Sequence, residues 1–284
     1  MKPAPFIRHV PKTLDEAVRI LGAVAAEEGR VLAGGQSLVP IMAFRLAKPA
    51  HLVDINEIAE LGRMSNDGKM LRIGALVRHA AFHKPVVDNP LGHLLAAVAR
   101  AIAHYPIRLR GTFCGSLAHA DPSAEWCLVA ATLDATLVAH STRGARTIAA
   151  RDFFQGIMTT ALAEDELLAE VRLPLLAPDT RFGFNKFSRR AGDFAMSAAL
   201  AVYRLQDGKM TDVHLGVGGA EPSPRRIPEA EAVLAGQAPG DTVFRAAAEA
   251  AAQAVEAMED HQTSADYRRD LVRAVVRRAL EQSA

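Results

Sequence analysis

A chain of 284 residues is long enough for one large domain or two of ordinary size. Half of its residues are hydrophobic, which supports a sizeable core and excludes wholesale disorder. Thirty-three basic residues against 32 acidic ones leave a formal charge of +1, which excludes the dominant basic face of a nucleic-acid binder.

From the N-terminus, MKPAPFIRHVPKTLDEA lacks the apolar core and cleavage site of a secretory signal, and no apolar run approaches a membrane span. A cytoplasmic chain without a membrane span is therefore expected. PFIRHVP is a strand candidate. Thr13 and Glu16 form a capping box ahead of LDEAVRILGAVAAEEG, in which Leu14, Ala17, Val18, Leu21 and Val24 recur at helical spacing and Gly29 ends the helix. RVLAGG reads as a strand running into glycines, and SLVPIMAFRLA as a helix with Pro40 in its first turn.

HLVDINEI and MLRIGALV follow as strands on either side of the turn-like SNDGK. His79 and His83 in HAAFH have an i, i+4 spacing without the glutamate of the HExxH zinc motif, so ordinary histidines and no metal site are expected. Residues 91–104 read as a helix with Leu94, Leu95, Val98 and Ile102 on one face. RGTFCGSLAHADPSAEW is a small-residue loop with acids beyond it, followed by a helix from Ser123 and the strands ATLVAH and ELLAEVRLP. The two cysteines, Cys114 and Cys127, form no CxxC pair and cannot supply the four ligands of an iron–sulfur cluster.

PLLAPDTRF, residues 174–182, marks a boundary. Beyond it AMSAALAVYRL and MTDVHLGVGGA flank Asp207-Gly208, a strong hairpin signal. The remainder is helical. In the last helix Val272, Val275, Val276 and Ala279 make an apolar stripe, and Arg268, Arg269, Arg273, Arg277 and Arg278 are read as a solvated face in preference to an anion-binding patch.

Two stretches carry chemistry. AGGQS, Ala33 to Ser37, lies between a strand and a helix, where glycines let the backbone approach a ligand and a helix start offers N–H groups to a phosphate. A plain turn is the competing reading. There is no GxGxxG, GxxxxGK[ST] or GxSxG, and GVGGAEP fails the dinucleotide spacing because Glu221 stands at the third glycine position. The second stretch, GTFCGS, repeats the small-residue pattern between Thr112 and Ser116. Two such loops suit the two halves of a pyrophosphate, with Asp121 or Glu125 placed to accept from ribose hydroxyls.

LAGGQSLVPIMAFRLAKPAHLVDI together with IRLRGTFCGSLAHADPSAEW resembles the FAD-binding medium subunit of the molybdenum hydroxylases, the carbon monoxide dehydrogenase and xanthine dehydrogenase family. The resemblance continues in order through DFFQGIMTTALAEDELLAEVRLP, KFSRRAGDFA, GVGGAEPSPRRIPEAEAVLAG and DYRRDLVRAVVRRAL. It implies an α+β chain: a vanillyl-alcohol-oxidase-type (PCMH) FAD-binding domain over residues 1–176, with subdomains of about 1–56 and 57–176, and a small α+β C-terminal domain over 177–284. It implies FAD as cofactor, with Ala33, Gly34, Gly35, Gln36, Ser37 and Leu38 and then Thr112, Cys114, Gly115 and Ser116 at the pyrophosphate. It places Glu125, or else Asp121, at the ribose, Leu168 against the cofactor through its backbone, Lys186 near the flavin, and Ile102 as an apolar contact. The family has Gly-Gly where this chain has Cys114-Gly115, so the Cys114 side chain either points away from the pyrophosphate or crowds it.

The resemblance further implies a molybdopterin-binding large subunit and a [2Fe–2S] small subunit as partners, as a dimer of heterotrimers. Electrons would then pass through FAD to a terminal acceptor, with no residue of this chain acting as a catalytic acid or base. A stand-alone FAD oxidoreductase and a non-catalytic nucleotide-binding assembly subunit are the competing readings.

Overall fold

Local signals in the sequence account for the first helix. In the computed structural model, which describes residues 2–261 and 263–284, helix Leu14–Val24 begins where the Thr13 hydroxyl accepts from the Glu16 N–H at 3.1 Å. The Glu16 carboxylate in turn accepts from the Lys12 N–H at 2.7 Å, one residue before the cap. The helix buries Ala17, Val18, Leu21 and Val24, the stripe its sequence spacing requires.

Three sheets organise the chain. Ile7–His9, His51–Asp54 and Arg30–Leu32 form a parallel sheet in that order. A five-stranded antiparallel sheet follows, in the order Met64–Asn66, Met70–Gly74, Leu167–Pro174, Thr136–Ser141, Gly144–Ala149. The third, also antiparallel, runs Thr180–Phe187, Ser197–Gln206, Lys209–Gly218, Arg225–Arg226. Its central hairpin turns at Asp207 and Gly208, both left-handed, with φ of 51° and 73°. That is the pair of conformations an Asp-Gly turn supplies at low cost.

The strand Ser197–Gln206 serves two cores. Ala198, Leu200 and Val202 face the larger core, built around the five-stranded sheet and helix Pro90–Ala101. Ala199, Ala201 and Tyr203 face a second core under helices Asp241–Ala254 and Ala265–Ser283. A strand buried on both faces must read as an unbroken apolar run, which AALAVY, residues 198–203, does. Helix Glu125–Thr132 is buried along its whole length, between the larger core and the third sheet. Glycines admit these contacts. A Cβ on Gly216 would lie 3.0 Å from Leu128 Cδ1 and closer still to Thr132 Oγ1, so GVGG is a groove for this helix rather than a ligand loop.

Several sequence expectations are corrected. GTFCGS is not an open loop: Thr112 caps a helix that begins at Phe113 and runs to His119. The helix expected over SLVPIMAFRLA spans only Leu38–Ala43. The helix expected over 91–104 runs from Pro90 to Ala101, with Ile102 already extended at φ −78° and ψ 116°. Arg268 departs from the solvated face. It is 4 % exposed and donates to the Gly219 and Met196 carbonyls at 2.5 and 3.1 Å and to Asp260 at 2.6 Å. The strand Thr180–Phe187 lies where the sequence reading placed only a boundary, and it is packed on both faces, Phe182 and Phe184 against the larger core and Gly183 under helix Ala265–Ser283. At Gly183 an added Cβ would collide with the Ala279 carbonyl.

Gly183→Ala is therefore expected to cost about 1–3 kcal/mol by overpacking, read as a lower midpoint in urea unfolding. Gly62→Ala, whose Cβ would meet nothing within 4 Å, serves as the comparison and leaves the midpoint in place.

Candidate functional site

Two turns from distant parts of the chain converge beside the parallel sheet. The first, Ala33–Ser37, leaves strand Arg30–Leu32. The second, Gly111–Ser116, leaves the short helix Tyr105–Arg108 and enters helix Phe113–His119. They touch at Gly34, where a Cβ would lie 2.7 Å from the Gly111 Cα and closer to the Arg110 carbonyl oxygen. Gly35 adopts a left-handed φ of 71°, which glycine tolerates without strain. Gly115 is required for a different reason: its N–H donates to Thr112 Oγ1 at 3.0 Å, and a Cβ would press on that same oxygen. Among the described residues the N–H groups of Gly35, Gln36 and Ser37 donate to no backbone carbonyl. Successive bare N–H groups in a turn make a concavity suited to an anion.

Between the turns opens a cleft of about 620 Å³, within the size range of small-molecule sites. Ala33, Gly34, Gly35, Gln36, Ser37 and Leu38 line it from one turn and Thr112, Cys114, Gly115 and Ser116 from the other. Ile102, Asp121, Glu125 and Leu168 complete this wall. Of the residues expected from the sequence only Lys186 lies behind the lining. Its Nζ crosses from the third sheet to donate to Glu125 Oε1 at 2.6 Å and to the Ala101 carbonyl at 3.0 Å.

Both side chains of this ion pair are 7 % exposed. Burial pushes the Glu125 carboxyl up, and the Lys186 ammonium opposes that shift. Removing one partner of such a pair leaves a lone buried charge, at a cost of about 3–5 kcal/mol. Glu125 thus borders the cleft while anchoring Lys186, and Asp121 accepts from the Ser123 N–H at 2.8 Å.

The Cys114 side chain turns into the core. Its Sγ donates to the Ile73 carbonyl at 3.4 Å, the residue is 1 % exposed, and burial raises the thiol pKa far above its ordinary value. A thiolate is disfavoured there, and the side chain does not cover the turn.

The cleft also recruits residues without a signal of their own in the sequence. His79 lies beneath the second turn, with a Gly111 Cβ position only 2.5 Å from its Nε2, and its Nδ1 accepts from Trp126 Nε1 at 2.9 Å. Burial, then the charges of Arg78 and Arg108, lower its pKa to about 4. His83 diverges from it and accepts from Arg108 Nε at 2.9 Å. Met158, Thr159 and Thr160 reach the cleft from the hairpin Phe154–Gly156/Thr159–Thr160, tied to the second turn's helix by the Met158 N–H to Ala120 carbonyl bond of 3.1 Å. Gly192, Asp193 and Phe194 border the other side, and Phe194 is 64 % exposed.

A chain of polar side chains underlies the first turn. Asp54 accepts from Arg8, and Asn56 donates to Asp54 at 2.6 Å and to the Ala33 carbonyl at 2.8 Å. Asn56 Oδ1 then accepts from Arg78 at 2.6 Å, and Arg78 donates to the Arg110 carbonyl. The two turns are thereby held in register from below.

Residues 4–176 match the family described as the FAD binding domain in molybdopterin dehydrogenase, and residues 182–283 match the CO dehydrogenase flavoprotein C-terminal domain. The nicotine 6-hydroxylase medium subunit of Paenarthrobacter nicotinovorans is 38 % identical, over 97 % of this chain and 96 % of that one. The carbon monoxide dehydrogenase medium chain of Hydrogenophaga pseudoflava is 34 % identical over 99 % and 97 %. A solved structure of that carbon monoxide dehydrogenase, lacking the Mo-pyranopterin moiety, superposes with a TM-score of 0.95, covering 100 % of this chain and 98 % of its own at 36 % identity. Quinoline 2-oxidoreductase from Pseudomonas putida 86 gives 0.93 over 100 % and 98 % at 33 % identity. The chain belongs to the FAD-binding medium subunits of the molybdenum hydroxylases, the oxidoreductase family of carbon monoxide dehydrogenase and xanthine dehydrogenase, and its cofactor is FAD.

Proposed function

We propose that this chain carries FAD in the cleft between its two glycine turns and forms the last relay of a multi-subunit molybdenum hydroxylase. A molybdopterin-binding large subunit oxidises the substrate, [2Fe–2S] clusters on a small subunit pass the electrons on, and they leave this chain for a terminal acceptor. The assembly is a cytoplasmic dimer of heterotrimers. Among the described residues no helix is long and apolar enough to cross a membrane. The observation that carries the reading is the convergence of two bare turns, the first with three successive N–H groups that donate to no backbone carbonyl, on one cleft large enough for a dinucleotide moiety.

Bound FAD supplies the chemistry, accepting electrons singly or in pairs and passing them on. The protein binds and orients it. Ala33 to Leu38 and Thr112, Cys114, Gly115 and Ser116 hold the pyrophosphate through their backbone, while Glu125, or else Asp121, faces the ribose. Ile102 and Leu168 give apolar and backbone contacts. Lys186, paired with Glu125 and held by the Ala101 carbonyl just behind the lining, would lie near the flavin and fix the Glu125 carboxylate at the wall.

The relay is tested on the complex purified with its partner subunits. Dithionite-reduced complex, followed by iron–sulfur absorbance, is expected to be reoxidised by a two-electron acceptor dye roughly tenfold or more slowly after FAD is stripped, and to recover when FAD is restored. Equal rates with and without FAD would remove the relay role.

Gly34→Val forces the two turns apart and is expected to weaken FAD retention roughly tenfold or more, measured as FAD released per chain on denaturation. Full stoichiometry in this variant would take the first turn out of the site.

His79 adds a pH dependence. Its folded pKa, about 4, lies below its ordinary 6.5, so its contribution to stability is complete above pH 6.5 and is lost as pH falls towards 4. The unfolding midpoint is expected to drop across this window, and His79→Gln to shallow that drop; parallel curves for the two proteins would show that His79 is not responsible.

A further inference from the structure

A second basin, of about 610 Å³, lies against the same glycine turn. Arg8, Arg78 and Arg110 line it together with Gly34, Gln36 and Asn56. One carboxylate, Asp54, faces these three guanidinium groups, and it is already engaged. Arg8 reaches its Oδ2 through Nε at 2.9 Å and Nη2 at 2.6 Å, and Asn56 holds its Oδ1 through both backbone and side chain.

Arg78 stands differently. Its guanidinium donates only to neutral oxygens, Asn56 Oδ1 and the Arg110 carbonyl. Among the described residues neither Arg78 nor Arg110 forms an ion pair. Burial holds the Arg78 pKa down, and the Arg110 charge lowers it further. Asp54 opposes that shift only in part, because Arg8 already engages its carboxylate, so three guanidinium groups share one counter-charge on a concave wall, an arrangement that an oxyanion would relieve. The fork of a guanidinium matches two oxygens of a phosphate, and a pair of forks matches a phosphate better than a single carboxylate.

We propose that this basin is an anion site for the phosphate class, inorganic or as a phosphate ester, held by Arg78 and Arg110 with Gln36 at its edge. It is separate from the FAD cleft, although the segment from Leu32 to Gln36 borders both. The site itself stands on the basin's own residues. Only its consequence for the flavin, that an anion here steadies the turn that grips the FAD pyrophosphate, rests on the function proposed above.

The test is isothermal titration of the FAD-loaded full-length chain with inorganic phosphate, with pyrophosphate and with NAD, each alone. Saturable binding of one anion per chain is expected, with the flavin spectrum unchanged. Arg110→Gln and Arg78→Lys, which keeps the charge but loses the fork, should each weaken it about tenfold. Arg181→Gln, an exposed side chain of strand Thr180–Phe187 outside the basin, should leave it unaltered. NAD binding as tight as pyrophosphate identifies the phosphate of a dinucleotide as the source, and pyrophosphate binding without NAD binding identifies a free anion. No saturable binding, or binding that both variants retain at full strength, overturns the proposal. So does pyrophosphate that expels FAD, since it would then occupy the cleft, which leaves the flavin reading standing. If the chain carries no FAD the flavin reading fails, whereas arginine-dependent binding to the FAD-free chain still upholds the basin.

Discussion

Where Gly34 meets the Arg110–Gly111 peptide, backbone lies against backbone with no side chain between. Both turns need independent anchorage to stay in such contact. The second is pinned from the side of the five-stranded sheet, by the His79 N–H to the Gly111 carbonyl, the Phe113 N–H to the Val77 carbonyl and the bridge between Arg78 and Thr112. The first is pinned from beneath by Asn56. Individually such hydrogen bonds contribute about 1 kcal/mol each, yet a connected series strengthens its members and leaves no slack for one turn to move alone. The width of the cleft, and the direction of its free N–H groups, follow from that contact.

A second constraint closes the cleft from the C-terminal side. Lys186 belongs to the third sheet, while Glu125 begins the helix buried between that sheet and the larger core. Their bond therefore ties the position of one region to the other at the wall of the site. Charge in so dry a place is costly unless paired, so the pair holds a defined geometry better than it adds stability. For the relay proposed above, which would need a cofactor held at fixed distance and orientation, a rigid wall is the more useful property.

How far the sequence could be read depended on whether a feature was local. The Thr13 cap, the Asp207-Gly208 hairpin and the apolar stripe of the last helix are written within a few residues and appear as expected. The glycine turns read as anion loops with a plain turn as the competing reading, and the structure brings both to one cleft that Ile102 and Leu168 also line, with Lys186 behind it. What escaped is non-local. Nothing near Thr112 states that its hydroxyl caps a helix within GTFCGS, and nothing near Glu125 states that a lysine from another sheet will claim it. His79 enters the site only because Gly111 leaves room above its ring. Arg268 looks like any surface arginine until the Gly219 and Met196 carbonyls are brought to it by the strand pairing of the third sheet. The thiol of Cys114 could point either way on sequence grounds, and the Ile73 carbonyl decides it.

The strand Ser197–Gln206, with alternate side chains in two cores, bears on whether the halves of the chain can exist apart. A fragment ending before Thr180 would strip the third sheet from helix Glu125–Thr132, every residue of which is buried in the whole chain. It would also leave Lys186 absent and Glu125 alone in an apolar wall. The complementary fragment would expose Ala198, Leu200 and Val202 along a sheet face. Neither piece is an autonomous folding unit on these terms, and amide hydrogens of this strand should exchange with solvent only through opening of the entire molecule. On these terms the cleft and the C-terminal sheet should form and melt together, as one cooperative body.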